Sequence, residues 1–341
     1  MKIFFYTISI SILLFSCKKK DVKIKEYVDT WGFEKPSHFP EPDYKFENNE
    51  LSKQKFELGR FLFYDPILSL DSTVSCATCH AQEHAFADHN VPLSQGVGGT
   101  FGTRNSPALS NLAWYPNFMW DGGINHIETL SVAPITNMLE MKESVSNVMV
   151  KLNNSPFYLE KFKEAFEVDY ITDDLMLKSL AQFMAMLVSS NSKYDNYLKG
   201  EVEFTSSELN GYQLFQQKCI TCHTEPLTTD FSYRNNGLDS VFSDQGRALI
   251  TLLEEDKGKF KVPSLRNVAQ TYPYMHDGRF FTLDAVLDFY STGIIDRNTT
   301  DELVRGGFNF SSSQKSDLKA FLKTLTDYYL IGDPAFSPPE R

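Results

Sequence analysis

The 341-residue chain has only five cysteines, and their placement leaves none for a structural disulfide. Cys17 lies near the N-terminus, and the other four fall in two short segments, Cys76-Ala77-Thr78-Cys79-His80 and Cys219-Ile220-Thr221-Cys222-His223. Positive charge is also scarce: 33 Lys and Arg against 44 Asp and Glu give a net charge of −11. Nucleic acid is thereby excluded as a partner, since phosphate binding needs clustered cations. A composition 42% hydrophobic and 23% charged, without low-complexity tracts, excludes a disordered chain. The apolar run from Ile3 to Phe15 falls short of the roughly 20 residues that span a bilayer. Clear period-two strand patterns are rare.

That short run, preceded by Lys2 and followed by Ser16-Cys17 and Lys18-Lys19-Lys20, reads as a signal peptide over residues 1–17 that ends in a lipobox-like Cys. Cys17 is then the expected lipidated first residue of an exported, periplasmic chain, with the lipid as its only membrane attachment. Residues 18–45, which contain Pro36, Pro40 and Pro42, read as a tether.

A Cys-x-x-Cys pair in an oxidising compartment suits a disulfide or half a zinc site. The His that directly follows each second Cys decides against both. In a CxxCH segment the thiols bond covalently to a haem and the His becomes the proximal iron ligand. Two such motifs predict two haem c groups, held by Cys76, Cys79 and His80 and by Cys219, Cys222 and His223. Their separation predicts two c-type cytochrome domains, residues 46–200 and 201–341, in a mainly α fold. Helical periodicity supports this over Glu50–Phe63, over a long helix opened by Thr172, and over a helix that starts at the Thr205–Glu208 capping box and runs into Cys219. The Leu, Met and Phe stripe of the Thr172 helix (Leu175, Leu180, Phe183, Met184, Leu187) is expected core.

Between Leu58 and Gly293 the chain resembles the bacterial di-haem cytochrome c peroxidases and their MauG-type relatives. The residues that carry the likeness are Leu58-Gly59-Arg60-Phe61-Leu62-Phe63, the first CxxCH, Arg104-Asn105-Ser106-Pro107, Trp120-Asp121-Gly122, Pro263-Ser264-Leu265-Arg266-Asn267 and His276-Asp277-Gly278. The resemblance implies a peroxide site at the N-terminal haem and electron uptake from a small donor protein, a cytochrome c or cupredoxin, at the C-terminal haem. It implies Glu140 as the acid–base group, Trp120 as the stepping point between haems, and a calcium ion held by the Asn105 side chain and the Thr271 and Pro273 carbonyls. Members often dimerise, so a homodimer is one expectation.

Three departures from the family pattern stand out. The loop Gln95-Gly96-Val97-Gly98-Gly99 has no His to block the peroxide iron, and the nearby His84 and His89 read as surface or supporting residues. The family's active-site Gln is Leu130 here. The axial Met expected fourteen residues after His276 is Tyr290, the ligand type of MauG, on a helix opened near Thr282 and closed before Gly293; Met275 competes with it. Three functions stay open on these residues: a peroxidase that reduces hydrogen peroxide to water, a MauG-like oxidase acting on a protein or small molecule, and a di-haem electron carrier.

Overall fold

The computed structural model describes residues 32–340. The signal peptide, Cys17 and the first part of the expected tether lie outside them. Helices dominate, and the described residues contain one two-stranded antiparallel sheet, β1 (Tyr233–Arg234) with β2 (Phe260–Lys261). The first strand lies in a stretch that reads as loop in the sequence, since two residues are too few to show a period.

Two hydrophobic cores form. The first gathers Phe56, Leu62, Phe63, Phe86, Phe162, Leu180 and Phe183, and the second Tyr194, Tyr212, Phe215, Phe321 and Leu325. Each is organised by two helices that cross at a glycine. Gly59 of the Lys53–Tyr64 helix faces the Asp173–Ala185 helix so closely that an added Cβ would lie 2.0 Å from the Ser179 carbonyl oxygen. Gly211 of the Ser206–Lys218 helix meets the Asp317 carbonyl of the Ser312–Thr324 helix at the same 2.0 Å. These crossings fix the two helices that lead towards the CxxCH segments. Gly59→Ala or Gly211→Ala is accordingly expected to cost about 1–3 kcal/mol of stability by overpacking, measurable by denaturant unfolding; unchanged midpoints would show that the helices slide apart freely.

Capping sets the boundaries. The first helix starts at Lys53, three residues later than its apolar period suggests, because Ser52 takes the N-cap and its Oγ accepts from Lys55 N at 3.2 Å. The capping box at Thr205 and Glu208 forms as its sequence indicates. The Thr172 helix buries Leu180, Phe183 and Met184 as core, and stops at Ala185 before Leu187.

The tether requires correction from Phe33 onwards. Phe39 and Tyr44 are buried in the first core, and Trp114 Nε1 donates to the Pro40 carbonyl at 2.9 Å. Pro36 opens a turn in which Phe39 N donates to its carbonyl at 2.9 Å, and the aromatic residues of the stretch supply the apolar area that docks it.

A buried ion pair lies at the edge of the second core and reaches the first. The fully buried Arg266 guanidinium donates to both oxygens of Asp195 at 2.8 and 3.0 Å and to the carbonyls of Ser189 and Pro226, and it lies 4.7 Å from the Phe39 ring. Pro226 is three residues past His223, so this one side chain anchors the second motif's exit to the segment between the cores.

Candidate functional site: a cavity shared by two CxxCH motifs

The first motif is a single helical turn, Cys76–Cys79, closed by a reciprocal Ser75–Thr78 capping box. It places His80 at the helix end. Nδ1 of His80 lies 2.9 Å from the Phe86 carbonyl oxygen, a contact that only an Nδ1–H can make. Burial lowers the pKa of this imidazole, so it is held neutral, with the Nε2 lone pair left over. The second motif repeats the arrangement: Cys219 ends the Ser206–Lys218 helix, and Nδ1 of the half-buried His223 sits 3.1 Å from the Thr228 carbonyl. Burial lowers its pKa as well. All four thiols are free, and burial pushes Cys76 and Cys219 up to about 12. Among the described residues no three His, Cys, Asp or Glu side chains converge as a metal site.

Both motifs line one cavity of about 1240 Å³. Its wall brings together the residues singled out from the sequence: Trp120, Glu140, Tyr290, Met275, Asn105, Thr271 and Pro273. Trp120 is half-buried and lies outside both cores; its Nε1 donates to the Asn105 carbonyl at 2.8 Å. The turn after it demands glycine, because Gly122 has φ +70° and a Cβ there would strike Tyr233. Asn105 is buried, its N–H donating to the His276 carbonyl at 2.7 Å and its Nδ2 to the Pro92 carbonyl at 3.1 Å.

Glu140 is not a solvated helix charge. It sits in a turn, half-buried, and Asn137 Nδ2 donates to its Oε1 at 2.6 Å. Burial raises its pKa, and the Asn137 bond only partly offsets that. The Gln95–Gly99 loop lies directly behind: Val97 N donates to the Glu140 carbonyl at 2.8 Å, and a Cβ on Gly96 would be 2.1 Å from the Leu139 carbonyl. Leu130 lines the same cavity and is apolar, as its position in the sequence leads one to expect. His84 and His89 stack on each other at 3.5 Å and do not line the cavity.

At the second motif, Tyr290 and Met275 meet on one amide. Asn236 Nδ2 lies 3.2 Å from the Tyr290 hydroxyl and 3.5 Å from the Met275 sulfur. Tyr290 is carried on a π-turn, Phe289–Gly293, that extends the Leu283–Asp288 helix capped by Thr282. Such turns re-aim side chains and recur at functional sites. Burial pushes this phenol up to about 12, with the nearby Cys219 and Cys222 adding to the rise.

A model of the family described as di-haem cytochrome c peroxidase matches residues 53–203. The cytochrome c551 peroxidase of Nitrosomonas europaea is 34% identical over 276 residues, 79% of each chain. The methylamine utilization protein MauG of Methylophilus methylotrophus is 32% identical over 299 residues, covering 86% of this chain and 87% of that one. The chain belongs to the di-haem cytochrome c peroxidase family. Its fold agrees: the crystal structure of a MauG-like protein associated with microbial copper homeostasis superposes with a TM-score of 0.83, at 31% identity, over 92% of this chain and all of that one.

A di-haem cytochrome c peroxidase carries two haems, and the protein is an oxidoreductase of that type. The residues present fit two haem c groups: two free thiol pairs, two neutral imidazoles fixed by backbone carbonyls, and one cavity that all of them line. Several residues of this cavity carry no signal in the sequence. Asn137 and Asn236 have no pattern signal at all, because their partners are set by turns. Arg104 was visible only as part of a motif; it pairs with Asp121 at 2.5 Å and Asp244 at 2.6 Å, ties Trp120's turn to the Ser243–Gly246 segment, and lies 5.7 Å from the Phe260 ring.

Proposed function

We propose that the protein reduces hydrogen peroxide to water with electrons from a small donor protein, using the site at His80 for peroxide and the site at His223 for electron entry. The observation that carries this reading is Glu140: a carboxyl in the cavity of His80, held by Asn137 and with a raised pKa. Cys76, Cys79 and His80 would hold one haem, and Cys219, Cys222 and His223 the other. When bound, haem supplies the iron at which peroxide is reduced and through which electrons arrive. Glu140 takes a proton from one peroxide oxygen and returns it to the other as the O–O bond breaks, and two electrons and two further protons complete two waters. Asn137 holds the carboxylate oxygen at the cavity wall. Trp120 is the stepping point between the motifs, fixed by its bond to the Asn105 carbonyl.

The Asn105 side chain with the Thr271 and Pro273 carbonyls makes an oxygen-only set for calcium, a hard cation. Tyr290 would supply the further protein ligand to the haem held at His223, with Met275 its competitor on the same Asn236. Lipidation of Cys17 would hold the chain to a membrane on the periplasmic side.

A second reading, a MauG-like oxidase of a protein or small molecule, is favoured by the half-buried Tyr290 and by apolar Leu130 where the family has a glutamine. EPR and visible spectra of the oxidised holoprotein, before and after one equivalent of peroxide, test both against simple electron transfer. We expect one high-spin and one low-spin ferric haem, with peroxide consumed and the high-spin signal lost; added reduced donor then restores it for a peroxidase. Two low-spin haems inert to peroxide, even after half-reduction, would overturn both enzymatic readings.

A further inference from the structure

The cavity wall carries a buried cation with no acid to match it. Lys261 of β2 is only 8% exposed and lines the cavity next to Trp120, whose carbonyl accepts its backbone N–H at 2.8 Å. Its Nζ donates to the Asn117 carbonyl at 2.7 Å and lies 4.8 Å from the Tyr115 ring centre. Both partners are neutral. The other buried or half-buried cations on this wall are compensated: Arg104 by Asp121 and Asp244, Arg234 by Asp230 and Asp301, Arg266 by Asp195. The acid that does act on Lys261, Asp121, is already engaged by Arg104 and by the Gly123 N–H at 2.9 Å.

An uncompensated buried ammonium costs several kcal/mol, and such groups persist where a ligand brings the opposite charge. The cofactor this cavity fits has two ionised propionate groups. We propose that Lys261 receives a haem propionate, and so fixes one haem's carboxylate edge and sets the electrostatic potential at its iron. Burial pushes the ammonium down to about 7, with Asp121 opposing the fall. A carboxylate ligand restores the charge. The lysine has a reach that an arginine shares and a methionine matches only in shape, which sets the controls.

The inference rests on the CxxCH motifs holding two haems in this cavity. Mass spectrometry of the wild-type holoprotein tests that separately: fewer than two covalent haems would sink the cofactor assignment, and leaves Lys261 without its ligand. With two haems present, potentiometric titration of wild type, Lys261→Met and Lys261→Arg reads the proposal. Removing a positive charge near an iron favours its ferric form. Lys261→Met should therefore move one haem's midpoint to lower potential, leave the other in place, and be rescued by Lys261→Arg. Equal potentials in all three proteins overturn the proposal, as does a shift that the arginine fails to rescue. Should the methionine variant not fold, resonance Raman of Lys261→Arg decides: the propionate bending mode of one haem must differ from wild type, and identical modes rule out contact with residue 261.

Discussion

Glu140→Gln is expected to lower kcat for peroxide reduction by about 10²–10⁴-fold, the usual worth of a positioned acid–base group. The amide keeps the shape and still meets Asn137, so haem content, spectra and unfolding midpoint should stay at wild-type values. That split separates a proton-transfer role from a structural one. The pH profile gives a second check. Glu140 must be ionised to take the proton, and burial raises its pKa, so the acid limb of kcat should lie above the ordinary carboxyl range. Asn137 donates to the ionised form and lowers that pKa. Asn137→Ala should thus move the acid limb to still higher pH. Steady-state rates with a reduced cytochrome between pH 4 and 8 read both effects, and a Glu140→Gln enzyme of undiminished kcat would remove Glu140 from the chemistry.

Arg266→Met is expected to cost about 3–5 kcal/mol of stability, the penalty of leaving one member of a buried ion pair unmatched. Asp195 would be left buried with His38 at 2.8 Å and the Ser192 hydroxyl and N–H as its remaining partners, and Pro226 and Ser189 would lose donors. The native pair also sets an acid limit. Asp195 is stripped of water, yet Arg266 and Ser192 hold its carboxyl down at about 2. A depressed carboxyl pKa contributes stability that is complete above the unfolded value near 3.9 and is lost as pH falls towards 2. Denaturant unfolding at pH 7 and pH 3 measures the effect: the difference between wild type and Arg266→Met should shrink at the lower pH. A double variant, Arg266→Met with Asp195→Leu, should recover part of the loss, because it removes the orphaned charge. A single variant as stable as wild type would mean that the pair adds nothing to the stability of the fold.

The four cysteines and two histidines of the haem motifs were legible at once, because covalent attachment needs its ligands contiguous in sequence, and so were the mainly α fold and the two-motif plan. The capping box of Thr205 and Glu208 and the Thr282 cap were equally plain, since capping is a matter of three or four residues. Family resemblance, not residue chemistry, pointed to Glu140 and Trp120. On sequence alone each could be a surface charge or a core ring; the structure places both on the cavity that His80 and His223 line.

What the chain determined by itself was therefore local: which thiols and imidazoles can take haem, where helices start, and that a family's motifs recur in order. Tertiary structure decided the rest. It packed the proline-bearing stretch around Phe39 into the first core, put Asn137 on Glu140, brought Tyr290 and Met275 to one amide, and left Lys261 buried without an acid. Each of those facts is a distance between residues remote in sequence or set by an irregular turn. Hydrophobic periodicity reports which face of an element is buried; it does not report what stands opposite, and the charge and proton balance of a cavity depends on that.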